Sequence, residues 1–266
     1  MLPIHSSPQD EMEPKIMGHV KSGGISTSNI IGPQLSVGDY FGRMLRYRQM
    51  DFDYTFAQMV YLCISPNKVY QLTQFRKRTK GTWSRDDPCF IVVQALFLAM
   101  AGWAYGICFG ETWLSQLRTF FYFFFLHFAV VGLIVSAFSI LVAEKYLRKK
   151  SSVHSAVQPM EYLYAFDVHC NAFFPLFLLT YVVQFLALPL LYSESLAATV
   201  VSNLLHAFAV AYYFYVVSLG YNTLPFIDRA EVFMAPAVLF GILAIVLILV
   251  RTNLTILFVE WTTGVL

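Results

Sequence analysis

Polar and apolar positions are spread very unevenly along this chain. After a polar first third come five stretches without a single Asp, Glu, Lys or Arg: Phe90–Phe109, Thr119–Val142, Ala172–Tyr192, Leu196–Leu219 and Val232–Val250, of 20, 24, 21, 24 and 19 residues. Each is close to the ~20 residues with which an α-helix crosses a hydrocarbon core. None alternates apolar and polar with period two, which argues against a transmembrane β-barrel. The pattern predicts an all-α integral membrane protein with five transmembrane helices. Only Ser193-Glu194-Ser195 separates the third stretch from the fourth, so a tight helical hairpin is expected there rather than one long or re-entrant segment.

Residues 1–39 lack helical periodicity and contain clusters such as "KSGGISTSN", the composition of a flexible arm. From Tyr40 to Pro88 the chain is dense in aromatics and cations. Phe41, Met44, Leu45 and Arg48 fall on one helical face, with Arg43 and Arg46 beside it. Phe52, Phe56, Met59, Val60 and Cys63 follow at i, i+4, i+7, i+8 and i+11, after Asp51 as an N-cap. Ser65-Pro66 opens a third helix through Val69, Leu72 and Phe75, and Asp87-Pro88 repeats that signal before the first span. The apolar run from Tyr54 to Ile64 is about half the length needed to cross a bilayer. Short amphipathic cytoplasmic helices lying on the leaflet are therefore expected. The predicted organisation is an arm (1–39), a basic and aromatic cytoplasmic head (40–88), a five-helix membrane domain (89–250; spans 90–109, 119–142, 172–192, 196–219 and 232–250) and a short lumenal tail (251–266).

Composition agrees and excludes other classes. The 266 residues are 58% hydrophobic and 13% charged, about half the charge of an ordinary soluble domain. An aromatic content of 17% is wrong for a disordered chain. Four cysteines lack the density of a disulfide framework and show no zinc-type spacing. A net charge of +2 does not suggest a nucleic-acid binder. Charge placement adds orientation. Of the 18 Lys and Arg, 11 precede the first span, four follow the second (Lys145, Arg148, Lys149, Lys150), and Arg229 follows the fourth. Only Arg118 and Arg251 fall on the other side, so the positive-inside rule predicts a cytoplasmic N-terminus and a lumenal C-terminus. The first 40 residues carry no apolar signal-peptide core, which leaves the first span as the insertion signal. The sequon Asn253-Leu254-Thr255 begins three residues past the last span, so it is expected to stay unmodified.

Candidate chemistry is sparse. The basic cluster Arg76, Lys77, Arg78 and Lys80, with Lys145, Arg148, Lys149 and Lys150, forms a candidate contact for anionic lipid or a protein partner; as a plain topology signal and solvated face it would need no partner. Asp167, His169 and Asn171 form a candidate polar cluster at the entrance of the third span, where ionisable groups are costly. Asp167 and Asn171 share a helical face, whereas the i, i+2 spacing turns His169 about 200° from Asp167. A metal site would need ligands from other helices, and hydrogen bonding to neighbouring loops is the simpler role. His127 and His206 lie within spans two and four and raise the alternative of a small-solute or ion transporter. The spans contain no carboxylate of the kind coupled transporters place near the midplane. No HExxH, GxSxG or intramembrane aspartate pair is present, so no catalytic, cofactor or metal residue is assigned. Gly102, Gly106 and Gly110, and Ala237 with Gly241, are spaced for close helix packing.

The blocks "LRYRQMDFDYTFAQMVYL", "SPNKVY", "RKRTKGTWSRDDP", "YAFDVHCNAFFPL" and "GYNTLPF" resemble the uncoordinated-fifty (UNC-fifty) family of Golgi membrane proteins. The likeness runs from about Tyr40 to Phe226 and more loosely beyond. It implies five spans and a cytoplasmic N-terminus, a location in Golgi membranes (or those of the ER or endosomes), and a role in vesicular trafficking without enzymatic activity. Implied partners are peripheral Golgi proteins, namely exchange factors for Arf GTPases, with membrane lipids and receptor cargo bound for the cell surface. The family supplies no catalytic residues to carry over, and the first 39 residues and the closing "VEWTTGVL" show no family block.

Overall fold

The computed structural model describes residues 50–110, 112–149 and 160–264. The arm, the helix expected near 41–48 and Lys150 lie outside the described residues. Among the described residues two helices precede the spans: α1 (Phe52–Ile64) and α2 (Pro66–Lys80). Asp51 caps α1, its carboxylate accepting the Tyr54 N–H at 2.9 Å. Pro66 occupies the first turn of α2, where its missing N–H is no loss, and Gly81 ends the helix at φ 77°. Asp87 ties this region to the first span: one oxygen accepts the Cys89 N–H (2.9 Å) and the other the Asp51 N–H (3.0 Å).

Among the described residues five helices are long and apolar enough to cross a membrane: α3 (Cys89–Phe109), α4 (Trp113–Leu147), α5 (Tyr162–Leu186), α6 (Leu196–Asn222) and α7 (Ala230–Leu249). No strand occurs among the described residues, only an isolated bridge between Arg148 and Ile227. α4 outruns its charge-free stretch at both ends, and a capping box between Thr112 and Ser115 fixes its start. It also widens to i→i+5 bonding over Tyr122–Val130 and again over Ala143–Leu147. α5 starts ten residues before its charge-free stretch, so Asp167, His169 and Asn171 lie inside the helix rather than ahead of it. Pro175 interrupts its hydrogen-bond ladder, and a wide turn at Leu178–Val183 follows.

Helix packing explains the small residues. A Cβ on Gly102 would stand 2.8 Å from the Phe120 Cα, and one on Gly106 2.9 Å from the Gln116 Cα. The backbones of α3 and α4 thus meet directly, as small-residue spacing permits. Gly241 behaves differently, with open space where a Cβ would be.

The segment read as a short tail contains a helix, α8 (Leu254–Thr263), too short and too near the end of the chain for its pattern to stand out. Its Phe258 packs among the rings of Tyr105, Phe123, Tyr181 and His206. Arg118 donates to the Thr263 carbonyl at its end. Asn253 caps its start, accepting from the Thr255 N–H at 2.9 Å. The Asn253 amide nitrogen donates to the carbonyls of Leu191 (2.8 Å) and Ser193 (3.0 Å), so the atom a glycan would need is already engaged.

Candidate functional site: a buried polar cluster on the N-terminal face

The face of the bundle where α3 begins carries the main polar assembly. Glu161, Tyr164, Asp167 and Asn171 are spaced three, three and four residues apart, which puts them on one side of the start of α5. Across from them runs the segment Thr82–Asp87, between α2 and α3, whose backbone has no ladder of its own. The carboxylates of α5 supply its acceptors. Glu161 takes the N–H of Trp83 (3.1 Å) and of Ser84 (3.1 Å). Asp167 takes the N–H of Arg85 at 2.5 Å.

The Arg85 side chain turns the same way. Its guanidinium donates to the Asn171 side-chain oxygen, stands 4.0 Å from the Asp167 carboxylate and lies 4.1 Å over the Phe90 ring. Arg85 is 8% exposed and Asp167 7%. A buried ion pair gains little net stability over apolar packing, but removing one member leaves an uncompensated charge. Such a cluster acts as a clamp that specifies where a segment sits.

Neighbours reinforce the clamp. The Arg76 guanidinium donates to the Trp83 carbonyl at 3.4 Å, and Lys77 stands 3.6 Å from Glu161 and 5.4 Å over the Trp83 ring. Trp83 packs on Tyr164, whose hydroxyl donates to the Gly220 carbonyl of α6 at 2.7 Å. Tyr70 of α2 donates to the Val216 carbonyl at 2.9 Å, and burial pushes its phenol well above the ordinary range, so it remains a donor. Gly220 allows this approach, since a Cβ there would lie 2.8 Å from both Val168 methyls.

The basic residues singled out in the sequence divide into two groups. Arg76 and Lys77 belong to the clamp, and Lys80 pairs with Asp86 at 2.8 Å. Arg78 is exposed and forms no hydrogen bond or ion pair among the described residues. In the second loop, Arg148 pairs with Glu144 and stacks on Phe226, while Lys149 donates to the Pro225 carbonyl at 3.0 Å. These contacts brace the end of α4 against the turn between α6 and α7. Lys145 is exposed, beside the Tyr146 ring.

His169 points away from Asp167, as a 200° rotation requires. Its Nδ1 shares a 2.8 Å hydrogen bond with the Tyr213 hydroxyl, and a Cβ on Gly132 would come within 2.5 Å of its Nε2. His127 bonds the Tyr181 hydroxyl at 2.6 Å, and His206 the Ser202 carbonyl of its own helix at 2.9 Å. None of these bonds joins one histidine to another. Among the described residues no three His, Cys, Asp or Glu side chains converge as metal ligands would. Sequence reasoning placed Asp167 with Asn171 but missed Arg85, Trp83 and Glu161. The available signal was the 3, 3, 4 spacing from Glu161 to Asn171, opposite a lone arginine just ahead of a span.

Fold and cluster together define a class: a five-span α-helical membrane protein with a buried polar cluster at the N-terminal face of its bundle. Known sequences narrow that class. The UNC-50 family model matches residues 40–263. The chain is 43% identical over 229 residues to Protein unc-50 homolog of Dictyostelium discoideum, covering 86% of this chain and 88% of that one. To the homologs of Rattus norvegicus and Homo sapiens it is 36% and 34% identical over 198 residues, 74% of this chain and 75% of each relative. The chain belongs to the UNC-50 family. No solved structure matches it.

Proposed function

We propose that this is a non-enzymatic Golgi membrane protein that recruits peripheral partners, Arf exchange factors among them, and supports delivery of receptors to the cell surface. Its N-terminal face is cytoplasmic in this reading, as the lysine and arginine distribution favours. The observation that carries it is the clamp. Asp167, Glu161 and Asn171 are engaged in holding the Trp83–Arg85 segment, so the N-terminal face is built as a fixed platform. Family membership supports the trafficking role. Transport through the bundle draws no comparable support, because the intramembrane histidines are bonded to separate local partners.

The structure sharpens the test. Reversing Arg76, Lys77 and Lys80 would disturb the platform itself, so the informative substitutions are Arg78→Glu and Lys145→Glu, at exposed positions outside the clamp. Crosslinking and recovery of the intact doubly substituted protein from Golgi membranes should show loss of the exchange factor with normal insertion. Unchanged recovery would count against these cations as the docking surface.

A further inference from the structure

We propose that α1 and α2 form a re-entrant hairpin that dips about half-way into the bilayer from the N-terminal face, with the outer side of α1 resting on lipid acyl chains.

Contacts with the spans mark the depth of each turn. The hairpin enters beside the start of α3, where Asp51 meets Asp87. One turn on, the Phe56 ring lies 6.5 Å from that of Phe97, about 12 Å along α3 from Cys89 at about 1.5 Å per residue. At the far end of α1, the Tyr212 hydroxyl donates to the carbonyls of Leu62 (2.8 Å) and Cys63 (3.1 Å). Tyr212 sits about 15 Å along α6 from Asn222, close to the middle of a hydrocarbon core of about 30 Å. α2 then climbs back: Tyr70 reaches Val216, about 9 Å from the same end of α6, and Lys77 reaches Glu161.

The faces of the hairpin suit this placement. α1 turns Thr55, Gln58, Met59 and Leu62 toward the bundle and leaves Phe56, Val60 and Ile64 exposed, Ile64 by 76%. In water such a face would be unfavourable; in lipid it continues the exposed apolar side of α3 at Leu96 and Met100. α2 is the polar arm. Its Asn67, Gln71 and Gln74 line a cleft of about 290 Å³ with Asn222 at the end of α6 and Thr223 just beyond it, a route for water along that side. Lys68 stands 5.0 Å over the Tyr61 ring and has a stem long enough to lift its charge toward the surface.

The apex is the most telling part. Non-helical backbone at membrane depth must have its polar groups satisfied. The Ser65 N–H donates to the Tyr61 carbonyl (2.7 Å), the Ser65 carbonyl accepts from Lys68 (3.0 Å), Tyr212 takes the carbonyls of Leu62 and Cys63, and Pro66 has no N–H to satisfy. A turn at the surface could leave these groups to water.

Depth-dependent quenching tests the proposal in the full chain, reconstituted in phosphatidylcholine vesicles with Cys63 and Cys108 replaced by serine. A bimane probe is placed by Ile64→Cys, by Phe75→Cys at the outer end of α2, or by Leu239→Cys at mid-length of lipid-facing α7. Ile64→Cys should match Leu239→Cys, quenched several-fold more by mid-chain than by headgroup-proximal spin-labelled lipid and untouched by aqueous iodide. Phe75→Cys should show the reverse order. Iodide quenching at Ile64→Cys comparable to that at Phe75→Cys, or stronger quenching there by the shallow label, would place the hairpin on the surface and overturn the proposal.

Discussion

α5 and α7 cross the same membrane and are built to opposite specifications. α7 is the most apolar of the five spans and the least buried, with 17% of its most apolar window inside the protein. α5 is the least apolar and the most buried, at 67%. In a bilayer the outer solvent is itself apolar, so hydrophobicity marks the helix that faces lipid, while polar side chains mark the helix that neighbours enclose. α5 holds Asp167, His169 and Asn171, which bond two neighbouring elements: the Thr82–Asp87 segment through Asp167 and Asn171, and α6 through His169. Truncating an outward apolar side chain of α7 would change little; loss of polarity from α5 would release both of these elements at once.

Substitutions in the two helices and their neighbours should break this contrast in a graded way. The largest effect is expected for Asp167→Ala, which strands the Arg85 guanidinium. Breaking a buried pair costs about 3–5 kcal/mol, to be read as a lowered unfolding midpoint of the detergent-solubilised protein. Gly220→Ala forces a methyl onto Val168 and Tyr70 and should cost about 1–3 kcal/mol by overpacking. Gly241→Ala on α7, into open space, should be neutral or gain up to about 1 kcal/mol from helix propensity. Tyr213→Phe removes the partner of His169 Nδ1 and should cost about 1 kcal/mol. Leu239→Ala on the outer side of α7 should stay within about 0.5 kcal/mol. Equal losses at Asp167 and Leu239 would refute the contrast.

Much of the architecture was legible in the charge pattern. Five charge-free stretches correspond to five helices because a span must satisfy its own backbone and exclude charge, two requirements written directly into sequence. Asp51 and Pro66 marked helix starts because capping is local. Three features escaped, each for a reason. α5 begins before its charge-free stretch because Asp167 is matched by Arg85 on another segment, and compensation by a distant residue leaves no local trace. α8 is too short to register as a span, yet Arg118 and Asn253 hold it at both ends. The basic run at Arg76–Lys80 read as one surface, but the fold commits three of its four cations to Trp83, Glu161 and Asp86. Charge density can be counted along a chain; the partner of each charge cannot.

The carboxylates at the start of α5 clamp the segment between α2 and α3. Amide hydrogen exchange at Trp83, Ser84 and Arg85 tests this clamp most directly, because these N–H groups donate to Glu161 and Asp167. In the unaltered protein all three should exchange slowly. In the Glu161→Ala, Asp167→Ala variant they should speed up about ten- to hundredfold, in line with about 1.5–3 kcal/mol for hydrogen bonds to charged groups, while amides in α7 stay unchanged. Fast exchange at these three positions in the unaltered protein would contradict the clamp.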